Sequence, residues 1–139
     1  MADNYGYRRG ARVAVSFPID STSADISVGD LIYVTAGYAF QAAAGDRPIG
    51  VAMQTVNNPA ADGEAYVLVD VSSETVYEYP PDTGTVTAAL VGKSMDVGGA
   101  RSIDIDASAD DCVFCVGVDV SRNTLLVQLN TKLGFVGVV

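Results

Sequence analysis

Few residues in this chain could do chemistry. The 139 residues include no histidine and no tryptophan, two cysteines, and 17 acidic against 8 basic side chains. Without histidine there is no Ser–His or Cys–His nucleophile pair and no imidazole metal ligand. The cysteines form one C-x-x-C, Cys112-Val113-Phe114-Cys115. A zinc site needs a second such pair or histidines, and a thioredoxin-type motif needs a helix N-terminus in a βαβ setting. In a strand, positions i and i+3 point to opposite faces. The two sulfurs are therefore expected to diverge and to act as buried small hydrophobes. Asp104, Asp106, Asp110 and Asp111 cluster, but an EF-hand loop counted from Asp104 needs glycine and glutamate where Ala109 and Cys115 stand. An acidic loop between strands is expected instead. Gly98-Gly99 opens no helix that could cradle a phosphate, and no carboxylate pair stands out by spacing for glycoside hydrolysis. The expectation is a protein that is not an enzyme, with no metal and no cofactor.

The elements around these residues read as strands. Val, Ala and Gly dominate, and turn signals recur about every ten residues, the rhythm of an all-β chain. The organising stretch is Ile49–Val71. Ile49, Val51 and Met53 alternate, then Ala65, Val67, Val69 and Val71, with Asn57-Asn58-Pro59 and Asp62-Gly63 forcing the loop between them. Tyr66 and Leu68 are also apolar, so that strand is expected to be covered on both faces. The unit returns later. Val116-Gly117-Val118 echoes Ile49-Gly50-Val51, Leu126–Leu129 echoes Leu68–Val71, and the Val91-Gly92 lead-in echoes Val28-Gly29. Arg12–Phe17 reads as a half-buried first strand, with Val13, Val15 and Phe17 inward. Asp82–Gly92 is the one helical candidate, with Val86, Ala89 and Leu90 on one face. The fold expected is a small antiparallel β-barrel or sandwich with at most one short helix and an extended N-terminal arm.

Three regions follow: 1–11 as the arm, 12–130 as a β domain of two loosely repeated halves (26–71 and 88–130), and 131–139 as an apolar tail. Tyr5, Tyr7, Arg8, Arg9 and Arg12 concentrate amphipathic anchors and positive charge in a chain of net charge −9. They read as an arm that orders against an acidic protein neighbour. Leu133, Phe135, Val136 and Val138 give the tail an apolar character that suits either a last strand of its own domain or a contact with another subunit. The acidic balance argues against nucleic acid. No stretch approaches the roughly 18 continuous apolar residues of a membrane helix, and residues 1–10 lack the apolar centre of a secretory signal.

The order of these weak motifs resembles a known family. An N-terminal arm, Val28-Gly29-Asp30-Leu31, Ile49-Gly50-Val51-Ala52, the Gly63-Glu64 strand and a second copy ending in Val116–Asp119 and Leu126–Leu129 is similar to the capsid cement, or decoration, proteins of tailed bacteriophages. The resemblance spans most of residues 10–130. It implies a small β protein made in the host cytoplasm and bound to the outer surface of the capsid. Such a protein clamps neighbouring major capsid protein subunits, and it associates with itself as a trimer in preference to a dimer. It carries over no catalytic residue. A different class of function is a carbohydrate- or receptor-binding β module of a virion or secreted complex, for which Tyr38, Phe40, Tyr77 and Tyr79 are the candidate aromatics.

Overall fold

The computed structural model describes residues 5–131. It is all-β: two antiparallel sheets in a sandwich-like arrangement, neither closed into a full barrel. The strands are β1 (Gly6–Arg9), β2 (Ala14–Pro18), β3 (Leu31–Thr35), β4 (Tyr38–Gln41), β5 (Gly50–Ala52), β6 (Tyr66–Asp70), β7 (Val76–Tyr79), β8 (Ser94–Gly99), β9 (Ser102–Asp104), β10 (Val113–Asp119) and β11 (Thr124–Leu129). One sheet runs β2-β6-β5-β3-β4 and the other β1-β7-β11-β10-β8-β9.

Apart from β1, the two sheets have one strand order, and much of their register coincides. Ala14, Val15, Ser16 and Phe17 pair with Asp70, Val69, Leu68 and Val67, as Val76, Tyr77, Glu78 and Tyr79 pair with Gln128, Val127, Leu126 and Leu125. Each sheet curls so that the chain just beyond β2 meets β4, at Ile19 to Ala39, and the chain just beyond β7 meets β9, at Pro81 to Ile103, each through one parallel bridge. The echo of Leu68–Val71 in Leu126–Leu129 thus falls in equivalent places. The echo of Ile49-Gly50-Val51 does not. Val51 pairs with Asp70 and Leu31, and its counterpart by register is Phe114, paired with Gln128 and Ser94, several residues before Gly117. A β-bulge between Cys115 and Gly117 interrupts the later part of β10.

Two apolar clusters follow from this arrangement. Ile19, Ile26, Ile32, Ala39, Ala52, Val67 and Val69 fill the curl of the five-stranded sheet. Tyr77, Tyr79, Met95, Val97, Ile103, Val113, Leu125, Val127 and Leu129 fill the other, joined by Leu31 and Val51 from the first sheet. The strand expected to be covered on both faces is covered on one and part of the other. Val67 and Val69 are fully buried, whereas Tyr66 is 57 % exposed. Val13 and Val15, expected to face inward, are 54 % and 39 % exposed, because β2 is an edge strand whose apolar face runs past the end of the curl.

The helix expected over Asp82–Gly92 reduces to one 3-10 turn, Ala88–Leu90. Gly84 adopts φ +87°, and the β-branched Thr83, Thr85, Val86 and Thr87 crowd a helical turn. Val86 is buried, but Ala89 is exposed, so the expected apolar helical face does not form. The N-terminal segment also departs from an arm held outside the domain. Gly6–Arg9 pairs with β7 as the outermost strand of the six-stranded sheet. The tail residues Leu133, Phe135, Val136 and Val138 lie outside the described residues.

Candidate interaction surface

The basic N-terminal cluster is split between structural and exposed roles. Arg8 Nε donates to Glu78 Oε1 at 2.6 Å, which ties β1 to β7. Arg12 places its guanidinium 3.5 Å from the centre of the Tyr7 ring. Tyr7 meets Tyr77 edge-on with ring centres 6.1 Å apart, and its hydroxyl donates to Gly10 O. Tyr5 packs against the larger core. Arg9 and Arg12 remain exposed, and Tyr7 is 40 % exposed. Thus the structure brings Tyr7, Arg8 and Arg12 together beside β7 and leaves the side chains of Arg9 and Arg12 exposed. Between Tyr5, Tyr7, Arg12, Gly29, Val51 and Tyr77 lies a cavity of about 40 Å³. That is room for about three or four water molecules, at about 10–15 Å³ each.

Four buried carboxylates are the features that sequence spacing missed. Glu78 accepts from Arg8, Arg122 and Thr124. Asp70 accepts from the backbone N–H of Val13 and Ser72 and from the Tyr77 hydroxyl, joining the two sheets where the chain crosses between them. Burial, then this bond, push the Tyr77 phenol far above its ordinary value. Asp30 accepts from Ser27 N–H and Gln41 and pairs with Arg101, whose Nε lies 3.2 Å away. Asp96 accepts from the N–H groups of Ala109, Asp110 and Asp111, which shapes the acidic loop. Each carboxylate is engaged by at least three donor groups, and these hold strands and loops in place. The signal available in sequence was an acidic residue at an otherwise apolar strand position, as in Tyr66–Asp70 and Val76–Tyr79.

The other chemical candidates resolve in the same way. Cys112 and Cys115 are unpaired thiols, both buried in the larger core. They do not face opposite sides, because Cys112 lies before β10 begins and is not held to strand alternation. Burial raises both thiols, that of Cys112 to about 11. Asp110 pairs with Arg47 at 2.8 Å, and no acidic or thiol cluster suited to a metal ion occurs among the described residues. Of the four aromatics considered for glycan stacking, Tyr77 and Tyr79 are buried. Phe40 stacks on Tyr33 at 5.1 Å and is partly buried, as is Tyr38. No flat, exposed aromatic platform is therefore assembled from these four residues.

Fold and surface together define a two-sheet β protein whose four buried carboxylates are committed to holding its own strands and loops. No protein-family model, curated protein or solved structure matches the chain. No helix among the described residues is long and apolar enough to cross a membrane.

Proposed function

We propose that this chain is a non-enzymatic structural protein of a tailed-phage virion. It binds the outside of the head and clamps neighbouring major capsid protein subunits, stabilising the mature capsid. The observation that most supports this reading is the commitment of Asp30, Asp70, Glu78 and Asp96 to internal bonds beside an exposed, uncharged strand edge at Val13–Ser16. Such a molecule is built to be rigid and to be held by neighbours. The order of its Val-Gly motifs, similar to that of cement proteins, supplies the specific partner. Arg9 and Arg12, with Tyr7 beside them, face outward and suit carboxylates on a capsid surface.

Many weak contacts on a fixed lattice add as avidity. A ligand that binds only the assembled lattice stabilises it by mass action. The test is co-sedimentation with expanded heads stripped of this protein. Wild type should saturate a fixed number of sites. Joint replacement Arg9→Ala and Arg12→Ala should lower occupancy while the free protein loses only the contribution of the exposed Arg12–Tyr7 contact, about 0.5–1 kcal/mol. Raising salt should weaken attachment, since the Debye length is only about 8 Å at physiological ionic strength. Absence of saturable binding by wild type would refute the proposal.

A further inference from the structure

Among the described residues, one strand edge and two arginines lack the partners that their counterparts have, and they adjoin in the chain. On the second sheet, β1 covers the outer edge of β7, with Gly6, Tyr7 and Arg9 opposite Glu78, Tyr77 and Val76. By register, the equivalents of those β7 residues on the first sheet are Ser16, Val15 and Ala14. No strand among the described residues lies beside them, and β2 ends its sheet. Tyr77 is accordingly 2 % exposed, but Val15 and Val13 are 39 % and 54 % exposed. Val71 N–H donates to Val13 O and Ile19 N–H to Ala65 O, so the odd-numbered residues of β2 turn their backbone groups toward β6. Ala14 and Ser16 therefore turn theirs to the open edge. The arginines differ in the same way. Arg8 and Arg122 lie against Glu78, Arg47 against Asp110 and Arg101 against Asp30. Arg9 and Arg12 are exposed and meet no carboxylate among the described residues; Arg12 rests on the Tyr7 ring. Arg9 closes β1 and Arg12 immediately precedes Val13, so both charges stand at the start of the open edge.

We propose that the edge of β2 takes an extended segment of a partner protein as an added strand, one that carries carboxylate side chains where it passes Arg9 and Arg12. The proposal rests on head attachment for the identity of the partner, a capsid subunit, and on this edge for the chemistry. An added strand satisfies the outward backbone groups of Ala14 and Ser16, and alternate apolar side chains of the segment cover Val13 and Val15. Pro18 and the bridge from Ile19 to Ala39 close the edge at its other end, so the site is short and needs the charges beside it for strength and register. Charge complementarity selects the occupant. From Tyr5 to Ile19 the chain has three arginines and no acidic residue, in a protein of net charge −9. A second copy offering its own β2 would bring no carboxylate to the arginines, and two copies repel through their acidic surfaces. A partner segment with Asp or Glu beside its apolar residues matches both features at once.

The test uses the full chain and a synthetic probe, a capped peptide of alternating valine and threonine with glutamates at both ends. The peptide should bind one to one and slow exchange of the Ala14 and Ser16 amides. Lysines in place of the glutamates should weaken binding about tenfold or more, and Arg9→Ala with Arg12→Ala should remove that preference. N-methylation of the peptide at alternate residues should abolish binding in one parity and spare it in the other, as for a strand bonded along one edge. A peptide that leaves the two amides unchanged, or that binds equally well with lysines, overturns the inference. So does slow exchange at Ala14 and Ser16 in the dilute free protein, which marks the chain itself as occupant, or slowing with protein concentration alone, which marks a second copy. Heads separate the two readings. Saturable binding with Ala14 and Ser16 still exchanging as in the free protein overturns this inference and leaves the proposed function standing. Absence of head binding, with the peptide still held at this edge, removes the capsid subunit as partner and leaves the inference standing.

Discussion

Replacing Glu78 by Gln probes how firmly β1 belongs to the domain. The Glu78 side chain is 5 % exposed and faces Arg8 at 2.6 Å and Arg122 at 3.4 Å, whose side chains are 29 % and 40 % exposed. Two unit charges about 4 Å apart attract by about 4 kcal/mol at an effective dielectric constant of about 20. Water reaching both arginines reduces that figure substantially. Stripping one partner from a fully buried pair costs about 3–5 kcal/mol. Gln keeps the shape and can still accept from Thr124, but its amide presents N–H where an arginine also donates. A net loss of about 2 kcal/mol is expected, smaller than for a fully buried pair because both arginines can turn to solvent. For a chain of this length that is a fall in melting temperature of about 8 °C. Urea unfolding should show the loss at unchanged m-value. Hydrogen exchange should show β1 amides released before those of β10 and β11. A loss below about 0.5 kcal/mol, the range of ordinary surface substitutions, with β1 still protected, would refute the view that this carboxylate fastens β1.

Three further outcomes follow from the same structure. Gly50→Ala should unfold the domain or destabilise it by about 3 kcal/mol or more, read by thermal melting, because the added Cβ would sit 2.1 Å from Asp70 O in a paired strand. Asp96→Ala should remove the acceptor shared by Ala109, Asp110 and Asp111 N–H, at a cost of about 2–3 kcal/mol, with faster amide exchange confined first to residues 107–111. Stability should fall as pH rises from the ordinary thiol value toward about 11, since Cys112 stays protonated when folded but ionises when unfolded. The slope from this group is about 1.4 kcal/mol per pH unit, and Cys112→Ala should flatten that part of a stability–pH curve.

The β class was legible because period-two alternation and frequent turn residues are local properties. Ile49–Val71 reads as strands from its own residues, and β5 and β6 lie there. Burial was less legible where it depends on what lies across the sheet. Val13 and Val15 alternate as an inward face should, yet they are exposed because no strand among the described residues covers the edge of β2. The helix over Asp82–Gly92 failed because Gly84 and a β-branched run outweighed spacing. The N-terminal cluster read as an arm because its tie is long-range: nothing near Arg8 in sequence announces Glu78, and nothing near Tyr7 announces Tyr77. Asp30, Asp70, Glu78 and Asp96 escaped notice for the same reason, since their donors come from turns and strands distant in the chain as well as from nearby residues.

The clamp itself is tested most directly by calorimetry of expanded heads, stripped of this protein and then measured with and without it added back at saturation. Saturating addition should raise the head-disruption temperature by several degrees, in proportion to occupied sites, because binding that is specific to the assembled lattice shifts its disassembly by mass action. An unchanged transition at full occupancy would contradict the account.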